Sequence, residues 1–134
     1  MQTVVKDINV IEIEIEKASE PIEQFQKIIN EFISGTKNIF LSDRSIDVKT
    51  EEGEDIGLVS LSSGEKHLLR IIVENLLAGR NSIIIDEPEL SMHVDWQLEL
   101  LNIMQMLNPT SQIIVATHSP EIMARIPEDK IFRI

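Results

Sequence analysis

A chain of 134 residues with 43% hydrophobic content is long enough for one compact domain with a real core and too short for two comfortable ones. Twenty-three acidic against twelve basic residues leave a formal charge of -11, which disfavours non-specific attachment of this chain to nucleic acid or to an anionic membrane surface. The absence of cysteine excludes a disulfide framework and a thiolate metal site, and no stretch approaches the roughly 18 apolar residues of a membrane span, so the expectation is a soluble, cytoplasmic protein.

The elements fall into two zones of one domain, 1–60 and 61–134. Residues 4–16 contain the alternation Ile11, Glu12, Ile13, Glu14, Ile15, Glu16, which predicts a half-buried strand with one wet face. A helix follows: Ser19 can cap it, Pro21 suits its first turn, Ile22, Phe25, Ile28, Ile29, Phe32 and Ile33 share a face, and Gly35 ends it. From 37 to 60 the runs NIFL, SIDV and IGLVS, separated by SDR and TEEGED, suggest a small antiparallel meander. The second zone changes rhythm, to helix 62–78, strand 82–86, helix 93–107, strand 112–116, helix 119–125 and a terminal strand near 130–134. Strands alternating with helices in this way imply parallel crossover units, with helices covering both faces of a sheet.

Ligands of open parallel sheets gather outside the carboxyl ends of the strands. Asp86 and Glu87 end one strand in SIIIDEPELSMH, while Thr117, His118 and Ser119 end the next in IIVATHSP, so two polar groups should meet on one rim. Each tip taken alone is equally the polar end of a buried strand followed by a helix cap. LSSGE at 61–65 adds a third feature: Ser62 and Glu65 form a capping box, and the entry through Ser63 and Gly64 leaves backbone N–H groups free at a helix start, a ready anion site. A capping box before an apolar helix also needs no ligand.

The order and spacing of the three together are more specific. The chain resembles the carboxyl-terminal half of an ABC-type ATPase, closely over 58–122 and hardly at all in the amino-terminal half. In that family LSSGE resembles the signature motif, IIIDE at 83–87 the Walker B strand with its following glutamate, and His118 the switch histidine. Glu65 stands where transporters usually carry glutamine, and DEPELSMHVDWQ followed by THSPEIM is similar to the cytosolic ATPases of DNA maintenance and phage defence, including OLD-like and RecF-like proteins. Typical members place an aspartate in the D-loop where this chain has His93, a replacement common in the OLD-like branch. It leaves aspartate-dependent cross-talk between subunits without its residue.

The resemblance implies an α/β fold, a partial P-loop NTPase with parallel strands and flanking helices, preceded by a strand, a helix and the small meander. It implies ATP and Mg²⁺ as ligands, with Asp86 holding the metal, Glu87 polarising the attacking water and His118 sensing the γ-phosphate. Ser62, Ser63, Gly64 and Glu65 would meet a nucleotide held by the opposite subunit of a homodimer, and His93 would join the subunit contact. DNA, if it is bound, would be bound by other parts of the assembly.

No G-x-x-x-x-G-K-[ST] occurs; SGTKN at 34–38 has neither the leading glycine nor a hydroxyl residue after its lysine. The chain alone is therefore expected to bind ATP weakly or not at all, with the phosphate loop on a missing lobe or a separate chain. The family order puts the phosphate-loop strand beside residues 112–116, leaving a gap for residues 4–16 or another chain to fill. A non-catalytic ABC-like dimerisation module fits the missing loop as well. A metal-dependent nuclease could use Asp86, Glu87, Glu89 and Asp95, although a Toprim-like site needs a second strand ending in D-x-D, where IIVATHS supplies a histidine. Trp96 reads as packing, His67 as structural or solvent-facing, and Met92, Met104, Met106 and Met123 as gap-filling apolar residues.

Overall fold

The computed structural model describes residues 20–33, 37–42 and 45–133. The strand expected at 4–16, the Ser19 cap and Gly35 lie outside the described residues. Residues 20–32 form helix α1, which buries Phe25, Ile28 and Ile29, with Ile33 buried just beyond its end, as its apolar spacing requires. Strands β1 (Lys37–Leu41) and β2 (Ile46–Thr50) pair antiparallel, with the buried Ile39 opposite the buried Val48. The outer edge of β1 is occupied by α1: Asn30 Oδ1 accepts from the Ile39 N–H (2.8 Å), Gln26 Oε1 accepts from the Leu41 N–H (2.8 Å), and Gln26 Nε2 donates to the Ile39 carbonyl. Side-chain amides thus occupy a strand edge that would otherwise invite pairing.

The meander stops at two strands. The third run contributes a bridge between Lys49 and Asp55 and a bond from the Ile56 N–H to the Val48 carbonyl (2.9 Å), then becomes a 3-10 turn at Leu58–Ser60. Gly57, at φ 67, takes the backbone out of extended conformation at that point.

Helix α2 (Ser63–Leu77) starts with both arms of its capping box made: Ser62 Oγ accepts from the Glu65 N–H (3.2 Å) and Glu65 Oε2 accepts from the Ser62 N–H (2.5 Å). Lys37 Nζ reaches the same Glu65 oxygen at 3.1 Å, tying β1 to the helix start. Strand β3 (Ile83–Asp86), helix α3 (Val94–Leu107), strand β4 (Ile113–Ala116) and the short helix α4 (Pro120–Met123) complete the alternation. Leu68, Leu69, Ile71 and Ile72 of α2 and Leu100, Ile103, Met104 and Leu107 of α3 join the α1 residues in one core. At the far ends of α2 and α3, the buried Asn75 donates from Nδ2 to the Met104 carbonyl (2.9 Å), and Asn108 returns a bond to the Asn75 carbonyl (2.8 Å).

Strands β3 and β4 are parallel and adjacent, with Ile83, Ile84, Ile85 and Asp86 paired to Ile113, Ile114, Val115 and Ala116. Ile83, Ile85, Ile113 and Val115 pack on the core, whereas Ile84 is 77% and Ile114 46% exposed. Among the described residues, helices therefore cover one face of the parallel pair rather than both, because the alternate isoleucines have no element to pack against. Where a terminal strand is expected near 130–134, a 3-10 turn at Glu128–Lys130 is followed by residues 131–133 outside any strand, and Phe132 is 85% exposed. No described strand lies beside residues 131–133 to supply a ladder.

Gly64 meets the backbone of the segment after β3 so closely that a Cβ would stand 2.3 Å from the Ser91 carbonyl oxygen. Gly64→Ala should consequently destabilise the fold by about 1–3 kcal/mol, read as a fall in the denaturant midpoint; an unchanged midpoint would disprove the contact. Burial pushes the Glu65 carboxyl up, and the Ser62 N–H, Lys37 and the Ser62 hydroxyl together outweigh it, holding it below the usual glutamate value. A lowered value in the folded state means that stability from Glu65 is complete above about pH 4.3 and is lost as pH falls through the folded value. In acid titrations followed by circular dichroism, wild type should lose stability over that acidic range more steeply than Glu65→Gln, and parallel curves would refute the assignment.

Candidate functional site

The register of the parallel pair decides the geometry. Asp86 lies opposite Ala116, and the Glu87 N–H continues the ladder to the Ala116 carbonyl at 2.8 Å. The tip with adjacent acids and the tip with the imidazole are therefore neighbours on one edge. Asp86 and His118 are exposed and Glu87 is half-buried. Glu87 sits at φ 47, in the left-handed region that costs a side-chain-bearing residue on the order of 1–3 kcal/mol. The fully buried Pro88 follows it and anchors the turn.

That turn continues with the Leu90 N–H donating to the Glu87 carbonyl (3.2 Å) and the Met92 N–H donating to the Glu89 carbonyl (3.0 Å), with Ser91 also left-handed at φ 60. His93 caps α3, its Nδ1 accepting from the Asp95 N–H at 3.3 Å, and its ring lies edge-on to Trp96 with centroids 6.4 Å apart. Trp96 Nε1 donates to the Phe32 carbonyl (3.1 Å), so this indole holds α3 to the end of α1, in keeping with a packing role. On the other tip, Thr117 Oγ1 accepts from the Ser119 N–H (3.0 Å), and Ser119 caps α4 by accepting from the Ile122 N–H (3.2 Å).

Glu89 links the two tips, a connection its sequence position does not announce. Its Oε1 accepts from the His118 backbone N–H at 2.8 Å, across 29 positions of chain. Burial raises its carboxyl, but its own N–H, the Thr117 hydroxyl and the N–H groups of His118 and Ser119 outweigh that and hold it below the ordinary glutamate value. Gln97 adds a second bridge, donating to the Met92 carbonyl (2.9 Å) and accepting from Ser119 Oγ (2.7 Å).

The structure thus brings Asp86, Glu87 and His118 to one rim. Residues 62–65 make no hydrogen bond to them among the described residues, although Gly64 packs on the Ser91 carbonyl of the turn after β3. The Ser62 hydroxyl and the Glu65 carboxylate are engaged in the cap, while the N–H groups of Ser63 and Gly64 belong to the first turn, which has no intrahelical acceptors for them. Among the described residues no three His, Asp or Glu side chains converge as a self-contained metal cage. An exposed carboxylate such as Asp86 does suit Mg²⁺ carried by a nucleotide, since that ion takes one or two carboxylates and fills its remaining positions with phosphate oxygens and water. No described helix is long and apolar enough to cross a membrane.

Comparison with known proteins bears on the family and the fold. The chain is 29% identical over 94 residues to the "Retron Vc95 probable ATPase" of Vibrio cholerae serotype O1 biovar El Tor, covering 60% of this chain and 18% of that protein. It is 25% identical over 128 residues to the "Retron Ec83 probable ATPase" of Escherichia coli, covering 85% and 24%. It is 33% identical over 82 residues to the "DNA double-strand break repair Rad50 ATPase" of Saccharolobus solfataricus, covering 57% and 10%. The chain thus spans a quarter or less of the length of each of these relatives. In three dimensions it is similar to the SMC head in a crystal structure of that head bound to the C-winged helix domain of ScpA, with a TM-score of 0.58 at 17% identity over 78% of this chain and 36% of that one, a likeness that shows the α/β P-loop ATPase fold. These findings bear out the resemblance to ABC-type ATPases of a DNA-related branch. The family model described as "AAA domain, putative AbiEii toxin, Type IV TA system" matches residues 6–124, and the chain belongs to that family.

Proposed function

We propose that these residues form the lobe of an ABC-type ATPase that bears the signature, the Walker B acids and the switch histidine, and that ATP binding and hydrolysis there are coupled to dimerisation in DNA maintenance or defence. The observation that carries this reading is the register placing Asp86 and Glu87 beside His118 at the carboxyl edge of a parallel pair. Two neighbouring carboxylates with no cation beside them repel each other, and a metal-bound triphosphate is a partner that offsets that charge.

Asp86 is the carboxylate for the Mg²⁺ that accompanies ATP; when bound, the ion neutralises phosphate charge. Glu87 accepts a hydrogen bond from the attacking water and orients it towards the γ-phosphorus. His118, its ring exposed on the adjacent tip, donates to the γ-phosphate and distinguishes a triphosphate from a diphosphate. Ser62, with the N–H groups of Ser63 and Gly64, addresses the nucleotide of the opposing subunit, and His93 lies at the contact between the two. ATP then bridges a two-fold dimer, and loss of the γ-phosphate loosens it.

The phosphate loop comes from a segment not contained in these residues. Its strand pairs with the edge of β4 that has no partner among the described residues, and the same lobe covers the open face of Ile84 and Ile114. The acidic charge of the chain leaves DNA contacts to other parts of the assembly.

The test is ATP turnover by this lobe joined to a phosphate-loop-bearing segment, from the same protein or a separate chain. Glu87→Gln should lower kcat by about 10²-fold or more while ATP still binds and the dimer accumulates by light scattering. An assembly that binds ATP and Mg²⁺ yet turns over equally well with glutamine at this position contradicts the proposal.

A further inference from the structure

The His118 ring makes no hydrogen bond among the described residues, so its position depends on how its backbone is held. Three bonds hold it: the His118 N–H to Glu89 Oε1 at 2.8 Å, the Ser119 N–H to Thr117 Oγ1 at 3.0 Å, and Ser119 Oγ to Gln97 Oε1 at 2.7 Å. The second is internal to the tip of β4. The first and third come from outside it, and both lead back to the turn that carries Glu87: Glu89 is part of that turn, and Gln97 donates to its Met92 carbonyl at 2.9 Å.

We propose that Glu89 is a positioning residue for the reaction, clasping the backbone of His118 to the Glu87 turn so that the imidazole and the water-orienting carboxylate keep a fixed separation, with Gln97 as the second point of the clasp. The Glu89 carboxylate is met by donors from both tips, its own N–H on one side and the Thr117 hydroxyl and the N–H groups of His118 and Ser119 on the other, so it is placed to hold the two together. The turn is strained at Glu87 and Ser91, and a fixed link to β4 helps to hold it in that conformation. The clasp also joins His93 to the chemistry. His93 caps α3 one residue after Met92, and a shift of the α3 start at a subunit contact would reach the backbone of His118 through Gln97 and Ser119.

The catalytic half of this proposal rests on the ATPase reading, while the clasp itself can be measured without nucleotide. Amide hydrogen exchange at His118 in this chain should quicken by about tenfold in Glu89→Ala, whereas Glu89→Gln, which keeps an acceptor oxygen, should stay near wild type. In the assembly completed by a phosphate loop, Glu89→Ala should lower kcat with little change in the KM for ATP, and Glu89→Gln should recover most of the loss. Unchanged protection of the His118 amide in Glu89→Ala overturns the clasp, whatever turnover does. Faster exchange with unaltered kcat overturns its part in the reaction. A wild-type assembly without turnover removes the ATPase reading and the catalytic half with it, while the exchange result still decides the clasp.

Discussion

The parallel pairing of β3 with β4, carried one residue past the strands by the Glu87 N–H on the Ala116 carbonyl, is the constraint on which the rest depends. A slip of one residue would turn Ile83 and Ile85 away from the core and would move Asp86 out of line with the histidine tip. The core and the rim are therefore set by the same register. Alternation drives it: Ile83, Ile85, Ile113 and Val115 face the cluster built by α2 and α3, which fixes where each strand ends and where its polar residues emerge.

Beyond the strands, the rim is held by contacts that differ in kind from the core. Two left-handed residues, Glu87 and Ser91, bracket a turn whose middle is pinned by the buried Pro88 and whose far side is pressed by Gly64. Each left-handed residue costs on the order of 1–3 kcal/mol, which the ladder bond, the buried proline and the Glu89 and Gln97 links offset. Gly64 has a double position in this arrangement. It opens the helix that would address a nucleotide across the dimer, and it rests on the turn that would address the nucleotide on its own side. A displacement at one surface thus bears directly on the other.

Local chemistry was legible before any coordinates. The capping box of Ser62 and Glu65 is written in four consecutive residues and is made in both directions, and the apolar runs that form β3 and β4 are bounded by turn residues. Legibility failed where the outcome depended on a distant partner. IGLVS has the composition of a strand, but Gly57 turns the backbone away before it can pair for more than a bridge. Residues 131–133 carry the apolar pair Ile131 and Phe132 and have no described neighbour to form a strand with. The expectation of helices on both sheet faces assumed a complete sheet, whereas Ile84 and Ile114 remain open. At the site, the acids and His118 were found because motifs mark them. Glu89 is legible only as an acid that a nuclease could use, and Gln97 not at all, since their partners lie 29 and 22 residues away.

The open isoleucines and the acidic rim have one physical remedy in the proposed reading. Burying a large aliphatic side chain fully is worth about 1.5–3 kcal/mol, so covering Ile84 and Ile114 would favour docking of another element on that face. The rim by itself opposes closure, because Asp86 and Glu87 would lose water without a compensating cation. A phosphate-loop lobe that laid an apolar element on that face would serve both needs at once, bringing cover for the sheet and, with the nucleotide it cradles, a metal ion for the acids. Docking without nucleotide would gain only the first of these, and nucleotide without docking only part of the second. In that reading, assembly and ATP binding would reinforce each other, one supplying apolar cover and the other the cation, which is the condition for the γ-phosphate to act as a switch.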